Sequence, residues 1–212
     1  MNILHICANP KPTDESVSKQ MAAAFFTKLA EMNVDYELMN VDLYQEPPPF
    51  VSYDEYRGFW FPVFIGGYQA TDEELAAMAY AKEQGELFNQ ADVLVLTTPM
   101  WNYSIPAILK AWMDQVISPD ITFKMEKNGP KPLHSIKQIV VLAASGGVYK
   151  EEDSRDCLTT QIREAFSFIG IDNIATAWAD GQNPLFFDDG VIRKSYAIES
   201  AQDLAEEVAD LI

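Results

Sequence analysis

Along this chain, short runs of consecutive apolar residues alternate with stretches in which apolar positions recur every three or four residues. The first run, residues 2–8, stops at the breaker cluster Asn9-Pro10-Lys11-Pro12-Thr13-Asp14 and predicts a strand followed by a loop. Behind Ser16, a good N-cap, Val17, Met21, Phe25, Leu29 and Met32 form one stripe, so a helix is expected to about Met32. Residues 34–41 alternate apolar and polar like an edge strand. A helix with an acidic first turn is expected from Thr71 through Leu75, Met78, Ala79 and Ala81 to Leu87-Phe88. Residues 92–98 are apolar at consecutive positions, as in a central parallel strand covered on both faces. A helix opening at Ile105-Pro106 should run to about Val116 or Ile117, with proline in the first turn where its missing N–H costs little. Residues 138–144 form a second continuous run that should lie beside the first. Ser154–Phe168 reads as helix, Asn173–Trp178 as a last strand and Ile192–Ile212 as a C-terminal helix, and no internal repeat occurs.

Two segments break the alternation. Residues from about 42 to 70 hold Pro47-Pro48-Pro49, the aromatics Phe50, Tyr53, Tyr56, Phe59, Trp60, Phe61 and Phe64, and Gly66-Gly67, without a sustained period. They read as an insertion, either an extension of the core or a surface for another subunit. Between about 121 and 137, Ile121–Glu126 alternates and Asn128-Gly129 is the dipeptide preferred in tight hairpins, so a two-stranded flap is expected. With 212 residues, against roughly 150 per domain, and no linker, one domain spanning 1–212 is expected.

Strands alternating with helices imply an α/β fold, a parallel sheet of five strands with helices on both faces. In such sheets ligands bind outside the carboxyl ends of the strands. Composition narrows the ligand. With 15 basic and 32 acidic residues the net charge is −17, which opposes nucleic acid and anionic membrane surfaces as partners. No run of about 18 apolar residues occurs, so no membrane span is expected. The first residues lack the basic start of a secretory signal, and Cys7 and Cys157 are too few for a disulfide framework. A soluble cytoplasmic protein with free thiols is the expectation. No carboxylate pair or metal-spaced cluster emerges, so no metal is expected. His5, inside the first strand, and His134, after the flap, read as structural. The acidic run Glu151–Asp156 reads as a solvated helix start.

The loops after three strands carry the candidate chemistry. Asn9 to Ser18 puts hydroxyls and backbone N–H groups at a helix start, suited to phosphate, although a plain N-cap explains them too. Pro99-Met100-Trp101-Asn102-Tyr103 gathers aromatics, a thioether and an amide that suit a flat aromatic ligand, or else core packing. Ser145-Gly146-Gly147 offers N–H groups without Cβ hindrance to a ligand carbonyl, or is an ordinary turn.

Taken together, Asn9-Pro10, Ser16-Val17-Ser18, Pro99-Met100-Trp101-Asn102-Tyr103-Ser104-Ile105-Pro106, Leu109-Lys110, Asp114, the Asn128-Gly129-Pro130 hairpin and Gly146-Gly147-Val148-Tyr149 resemble the FMN-dependent NADH azoreductases. These are flavodoxin-like quinone and azo reductases, and the resemblance follows the chain in order from the first strand to the last helix. It implies a doubly wound sheet of strand order 2-1-3-4-5, with FMN as cofactor and NADH or NADPH as electron donor. Asn9, Ser16, Val17 and Ser18 would hold the phosphate; Pro99, Met100, Trp101, Asn102 and Tyr103 would pack along the isoalloxazine, Asn102 bonding its polar edge. Ser145, Gly146 and Gly147 would face the pyrimidine side and Tyr149 the substrate, making Asn102, Gly146, Gly147 and Tyr149 the catalytic positions. Quinones or azo compounds would be reduced by two electrons in ping-pong order, in a homodimer with flavin sites at the interface that the aromatic insertion helps to close. Two places depart from the family pattern: Asn9 stands where serine is common, and Ala143-Ala144-Ser145 precedes Gly146-Gly147 where a hydroxyl and then arginine are common. A flavodoxin-type electron carrier would share the acidic charge, and a flavin-free regulatory protein would share the fold. The insertion and the flap suit the enclosure of a small substrate better than either.

Overall fold

Consecutive residues of the central strands are buried on opposite sides, and this alternation divides the core into two layers. A computed structural model describes residues 1–150 and 153–211. Glu151 and Glu152 of the acidic run, and Ile212 at the end of the expected last helix, lie outside the described residues. The order is β1 (Asn2–Cys7), α1 (Val17–Glu31), β2 (Glu37–Asp42), α2 (Tyr53–Phe64), α3 (Asp72–Ala77), α4 (Ala79–Gln90), β3 (Val93–Pro99), α5 (Ala107–Val116), β4 (Phe123–Glu126), β5 (Gly129–Pro132), β6 (Gln138–Ala144), α6 (Cys157–Phe168), β7 (Ile174–Ala179) and α7 (Gly190–Ala209). Five strands pair in the parallel order β2-β1-β3-β6-β7, while β4 and β5 form a separate antiparallel hairpin. Counted within the main sheet this is the expected order 2-1-3-4-5, with helices on both faces.

On one face Leu4, Ile6, Leu94, Leu96, Ile139 and Val141 pack with Phe88 of α4, Trp112 of α5 and Phe166 of α6. On the other, Ile3, Val93, Val95, Val140 and Leu142 meet Met21, Phe25 and Leu29 of α1 and Ala201, Leu204 and Val208 of α7. Full burial of each larger side chain contributes about 1.5–3 kcal/mol. Every residue of β3 is buried, which is why Val93 to Leu96 run apolar without alternation and the two polar positions after them, Thr97 and Thr98, are threonines buried with them.

Several boundaries differ from the sequence pattern for local reasons. Inside the aromatic segment, α2 forms on a Ser52/Glu55 capping box, and only Glu55, Gly58 and Phe59 of it are buried. Such a narrow buried face, with aromatics around the whole helix, leaves no apolar stripe to read. The helix expected from Thr71 to Phe88 breaks at Met78, whose side chain is buried with Phe59, Ala81 and Ile121. Helix α6 starts at Cys157 rather than Ser154 because Asp156 caps it, accepting from the N–H groups of Leu158 and Thr159. Helix α7 begins at Gly190, two residues before the first expected position.

Both histidines are held by neighbours. His134 Nε2 lies 3.2 Å from the Ile169 carbonyl. His5 bridges three strands, with Nδ1 2.7 Å from Asn40 Oδ1 and Nε2 2.8 Å from the Thr97 hydroxyl. Burial lowers its pKa from 6.5 to about 4, more than the Asn40 hydrogen bond raises it. The unfolded chain therefore takes up this proton near pH 6.5 and the folded chain only near pH 4. His5 thus contributes stability that is complete above pH 6.5 and falls by about 3 kcal/mol as pH drops to 4. Urea unfolding at a series of pH values should show a steeper loss between 6.5 and 4 for the wild type than for His5→Gln. Equal slopes would show that His5 does not titrate this way.

Candidate flavin site

The strand register brings the ends of β1, β3 and β6 side by side. Cys7 pairs with Thr97, Pro99 pairs with Ala144, and the Ala8 N–H donates to Thr97 O at 2.8 Å. The three loops that leave these ends are therefore adjacent, although 90 residues and more separate the first from the other two.

In the first loop Asn9, Ser16 and Ser18 are buried. The Asn9 amide donates to Ser16 Oγ at 2.8 Å and to Ser18 Oγ at 3.0 Å, and its Oδ1 accepts from the Lys11 N–H. Hydroxyl oxygens occupied as acceptors must turn their protons elsewhere. Ser16 also caps α1, accepting from the Lys19 N–H at 3.3 Å. Ser16 Oγ and Ser18 Oγ lie 3.3 Å apart, one donating to the other, and among the described residues the first-turn N–H groups of Val17 and Ser18 donate to nothing, so two amides and one serine hydroxyl remain to donate to an anion. Asp14 and Glu15 lie in a short 3-10 turn with their side chains exposed, and Lys19 reaches Asp42 at 3.8 Å. The two carboxylates are therefore solvated.

The second loop is a tight turn. Trp101 and Ser104 exchange backbone hydrogen bonds at 2.9 and 3.0 Å, and the residues between them, Asn102 and Tyr103, have φ of 49° and 70°. Two successive residues with positive φ make a turn of the type I′ kind, in which asparagine is common at the first of them and glycine at the second, where Tyr103 stands. Left-handed backbone costs a non-glycine residue about 1–3 kcal/mol and collects at functional sites. The strain is opposed by the Cys157 N–H, which donates to Tyr103 O at 3.0 Å, and by Ser104 Oγ, which donates to Gln161 Oε1 at 2.9 Å. Pro99 and Met100 are buried, whereas Asn102 is exposed and Trp101 and Tyr103 keep 44% and 52% of their surface in solvent. The turn thus presents two rings and an amide, while Met100 belongs to the core and anchors the loop to β6 through its N–H on Ala144 O at 2.7 Å.

In the third loop the Ser145 side chain is buried and turned inward; its hydroxyl accepts from Trp178 Nε1 and donates to Gly147 O, both at 2.9 Å. Gly146 is exposed, and among the described residues the N–H groups of Gly146, Gly147 and Val148 have no acceptor. Tyr149 stacks on Trp178 at 5.5 Å and meets the Tyr103 ring edge-on at 6.4 Å, which joins the second and third loops. Burial first, and then the Tyr103 phenol, raise the Tyr149 pKa above its usual value. Beside Tyr149 a groove of about 970 Å³, lined by Trp178 and Thr176 of β7 and by α6 and the residues before it, borders the third loop and takes no lining residue from the other two.

All three loops named from sequence thus converge at the carboxyl ends of the three central strands. Trp178 and the Asp180–Asn183 segment carry no motif of this kind in the sequence; the Asp180-Gly181 pair after the last strand is the turn signal that marks them. The chemistry of the donors fits a flavin mononucleotide: an anion cradle at a helix start, an aromatic turn beside it and free N–H groups for ring carbonyls.

Comparison with known proteins agrees. A family described as having a flavodoxin-like fold matches residues 1–199. An FMN-dependent NADH:quinone oxidoreductase of Azotobacter vinelandii is 38% identical over 169 residues, 79% of this chain and 82% of that protein. One from an Exiguobacterium species is 31% identical over 211 residues, 99% of this chain and 98% of that protein. The crystal structure of an azoreductase from Bacillus anthracis superposes with a TM-score of 0.85 at 29% identity, covering 97% of this chain and 99% of that one. By sequence and by fold, the chain belongs to the flavodoxin-like family of FMN-dependent NADH:quinone oxidoreductases.

Proposed function

We propose that this protein is an FMN-dependent oxidoreductase that uses NADH or NADPH to reduce quinones and aromatic azo compounds. The observation that carries this reading is the convergence of the serine cradle, the Trp101–Ser104 turn and the Gly146 and Gly147 N–H groups, which have no acceptor among the described residues, at the carboxyl ends of β1, β3 and β6. The chemistry that FMN supplies when bound is the acceptance of hydride from a nicotinamide and its delivery to the acceptor. The chain itself binds, orients and stabilises charge. Val17, Ser18 and the Ser16 hydroxyl hold the phosphate, with Asn9 orienting the hydroxyls. Trp101 and Tyr103 flank the ring system and Asn102 bonds its polar edge. Gly146 and Gly147 donate to the ring carbonyls, where fixed donors favour developing negative charge without reorganisation. Tyr149 stands at the substrate side. Donor and acceptor use one face in turn, which makes the order ping-pong.

The whole chain acts as one FMN-binding unit to which the segments at about 42–70 and 121–137 are additions, and it works in the cytoplasm. It acts as a homodimer with flavin sites at the interface. Two sets of exposed apolar residues support this association: Phe50, Tyr53 and Phe64 on and before α2, and Leu185, Phe186 and Val191 beside the start of α7. Among the described residues no helix is long and apolar enough to cross a membrane.

The test is anaerobic visible spectroscopy of FMN-reconstituted, desalted protein. The expected result is retained yellow colour that NADH or NADPH bleaches, twice the 23.8 kDa chain mass by light scattering, and parallel initial-rate lines against a quinone. Colour that neither nicotinamide bleaches would make it an electron carrier, and loss of colour on desalting would remove the flavin.

A further inference from the structure

The glycine pair is held from behind. Three backbone N–H groups of the segment after β7 donate to three successive carbonyls of the third loop: Gln182 to Ser145 at 3.0 Å, Asn183 to Gly146 at 3.2 Å and Gly181 to Gly147 at 2.9 Å. In a planar trans peptide the N–H points opposite to the carbonyl it is joined to. The N–H groups of Gly146, Gly147 and Val148 are consequently all turned away from this segment, toward the side on which none has an acceptor among the described residues.

Side chains lock the arrangement. The Trp178 indole N–H donates to Ser145 Oγ, which in turn donates to Gly147 O, so one side chain of β7 is linked by two hydrogen bonds to the last peptide of the array. The segment is pinned to α7 by Arg193, which bridges Asp180 at 2.8 Å and Asp189 at 2.9 Å. Gly181 has φ +62°, and a Cβ there would lie 2.8 Å from Arg193 Cδ, so a side chain at this position would displace the clamp.

We propose that Trp178, acting through Ser145, is a positioning residue that holds the Gly146–Val148 N–H groups toward the flavin and so raises its two-electron reduction potential. The inference rests on the FMN reading above. Two-electron reduction adds electron density to the pyrimidine edge of a flavin, and donors already aimed at that edge stabilise the electron-rich form more than the oxidised one. Trp178→Phe keeps a six-membered ring against Tyr149 and removes the indole N–H together with the rest of its five-membered ring. Without that donor the Ser145 hydroxyl is free to rotate away from Gly147 O, and the peptide it braced relaxes. Trp178 touches neither reacting atoms nor the cofactor in this reading, so its effect must appear in the potential rather than only in rate.

The experiment measures FMN affinity and the two-electron midpoint potential of the full chain for the wild type, Trp178→Phe, Ser145→Ala and the double variant. Each variant is expected to bind oxidised FMN within about tenfold of wild type. Each single variant should favour the reduced form about tenfold less, a potential about 30 mV more negative. Because the two side chains act in series, the double variant should match Ser145→Ala. If Ser145→Ala does not fold, the Trp178→Phe potential decides alone. Unchanged potentials in variants that still bind FMN, or single shifts that add in the double, would overturn the inference. A wild type that takes up no FMN would overturn the proposed function and this inference with it.

Discussion

Ser16→Asp should lower FMN affinity by about 10³-fold or more while leaving the cofactor-free protein folded. Aspartate is as good an N-cap as serine, so α1 keeps the interaction that Ser16 now provides to the Lys19 N–H. The Asn9 amide, which donates to Ser16 Oγ at 2.8 Å, meets another acceptor. What changes is charge. A carboxylate about 4 Å from a phosphate, at an effective dielectric constant of about 20, costs roughly 4 kcal/mol per pair of unit charges. That corresponds to about three powers of ten in affinity. Riboflavin, which lacks the phosphate, provides the internal control: its affinity should change by less than about threefold. Equilibrium titrations of both ligands, read by flavin fluorescence, would measure this. If Ser16→Asp kept FMN within about tenfold, the phosphate would have to be bound elsewhere than at the start of α1.

The second large effect concerns the core beneath the second loop. Trp112 of α5 is fully buried against Phe88, with ring centroids 6.3 Å apart, and Phe88 stacks on Phe166 of α6 at 6.1 Å. One side chain therefore ties α5 to α4 and, through Phe88, to α6. Its indole N–H donates to Gln84 Oε1 at 3.1 Å, and Gln84 is itself buried. Trp112→Ala should cost about 5 kcal/mol: a cavity of aromatic size accounts for about 3–5, and an unpaired buried acceptor adds about 1–3 with incomplete additivity. Whole domains are stable by about 5–15 kcal/mol, so this variant should lie near the edge of folding. Trp112→Phe, which retains a ring, should be markedly less damaging. Helix α5 begins at Ala107, three residues after the Asn102–Tyr103 turn closes at Ser104, so loosening α5 should also weaken FMN binding. Urea unfolding with an unchanged denaturant slope would measure the loss. A loss below about 2 kcal/mol would mean that the three helices are not held through Trp112.

Hydrophobic patterning identified the central strands because a parallel strand covered on both faces leaves a continuous apolar run, as in β3 and β6, and the edge strand β2 by its alternation. It identified α1 because Ser16 and the Met21, Phe25, Leu29 stripe are local features. It did not reveal α2, whose buried face is limited to Glu55, Gly58 and Phe59. There the capping box Ser52–Glu55, repeated at Thr71–Glu74, was the legible signal.

The three ligand loops could be named from sequence because they follow predicted strands and carry residues with few other uses in such places: hydroxyls at a helix start, exposed aromatics, paired glycines. Their convergence, and the direction of each donor, depended on long-range pairing. The positive φ of Asn102 is one asparagine adopts readily, but that of Tyr103 is held across the fold, its carbonyl accepting from the Cys157 N–H and the next residue, Ser104, bonding Gln161. The inward turn of Ser145 depends on Trp178, 33 residues later, and the aim of the glycine N–H groups on a segment beyond β7. The sequence by itself thus determined the strands, the helix stripes and the chemical inventory of each loop, because periodicity and capping act within a few residues. Tertiary structure alone decided which hydroxyls, rings and amides face a common ligand, because hydrogen bonds between distant loops orient peptide planes that local sequence leaves free.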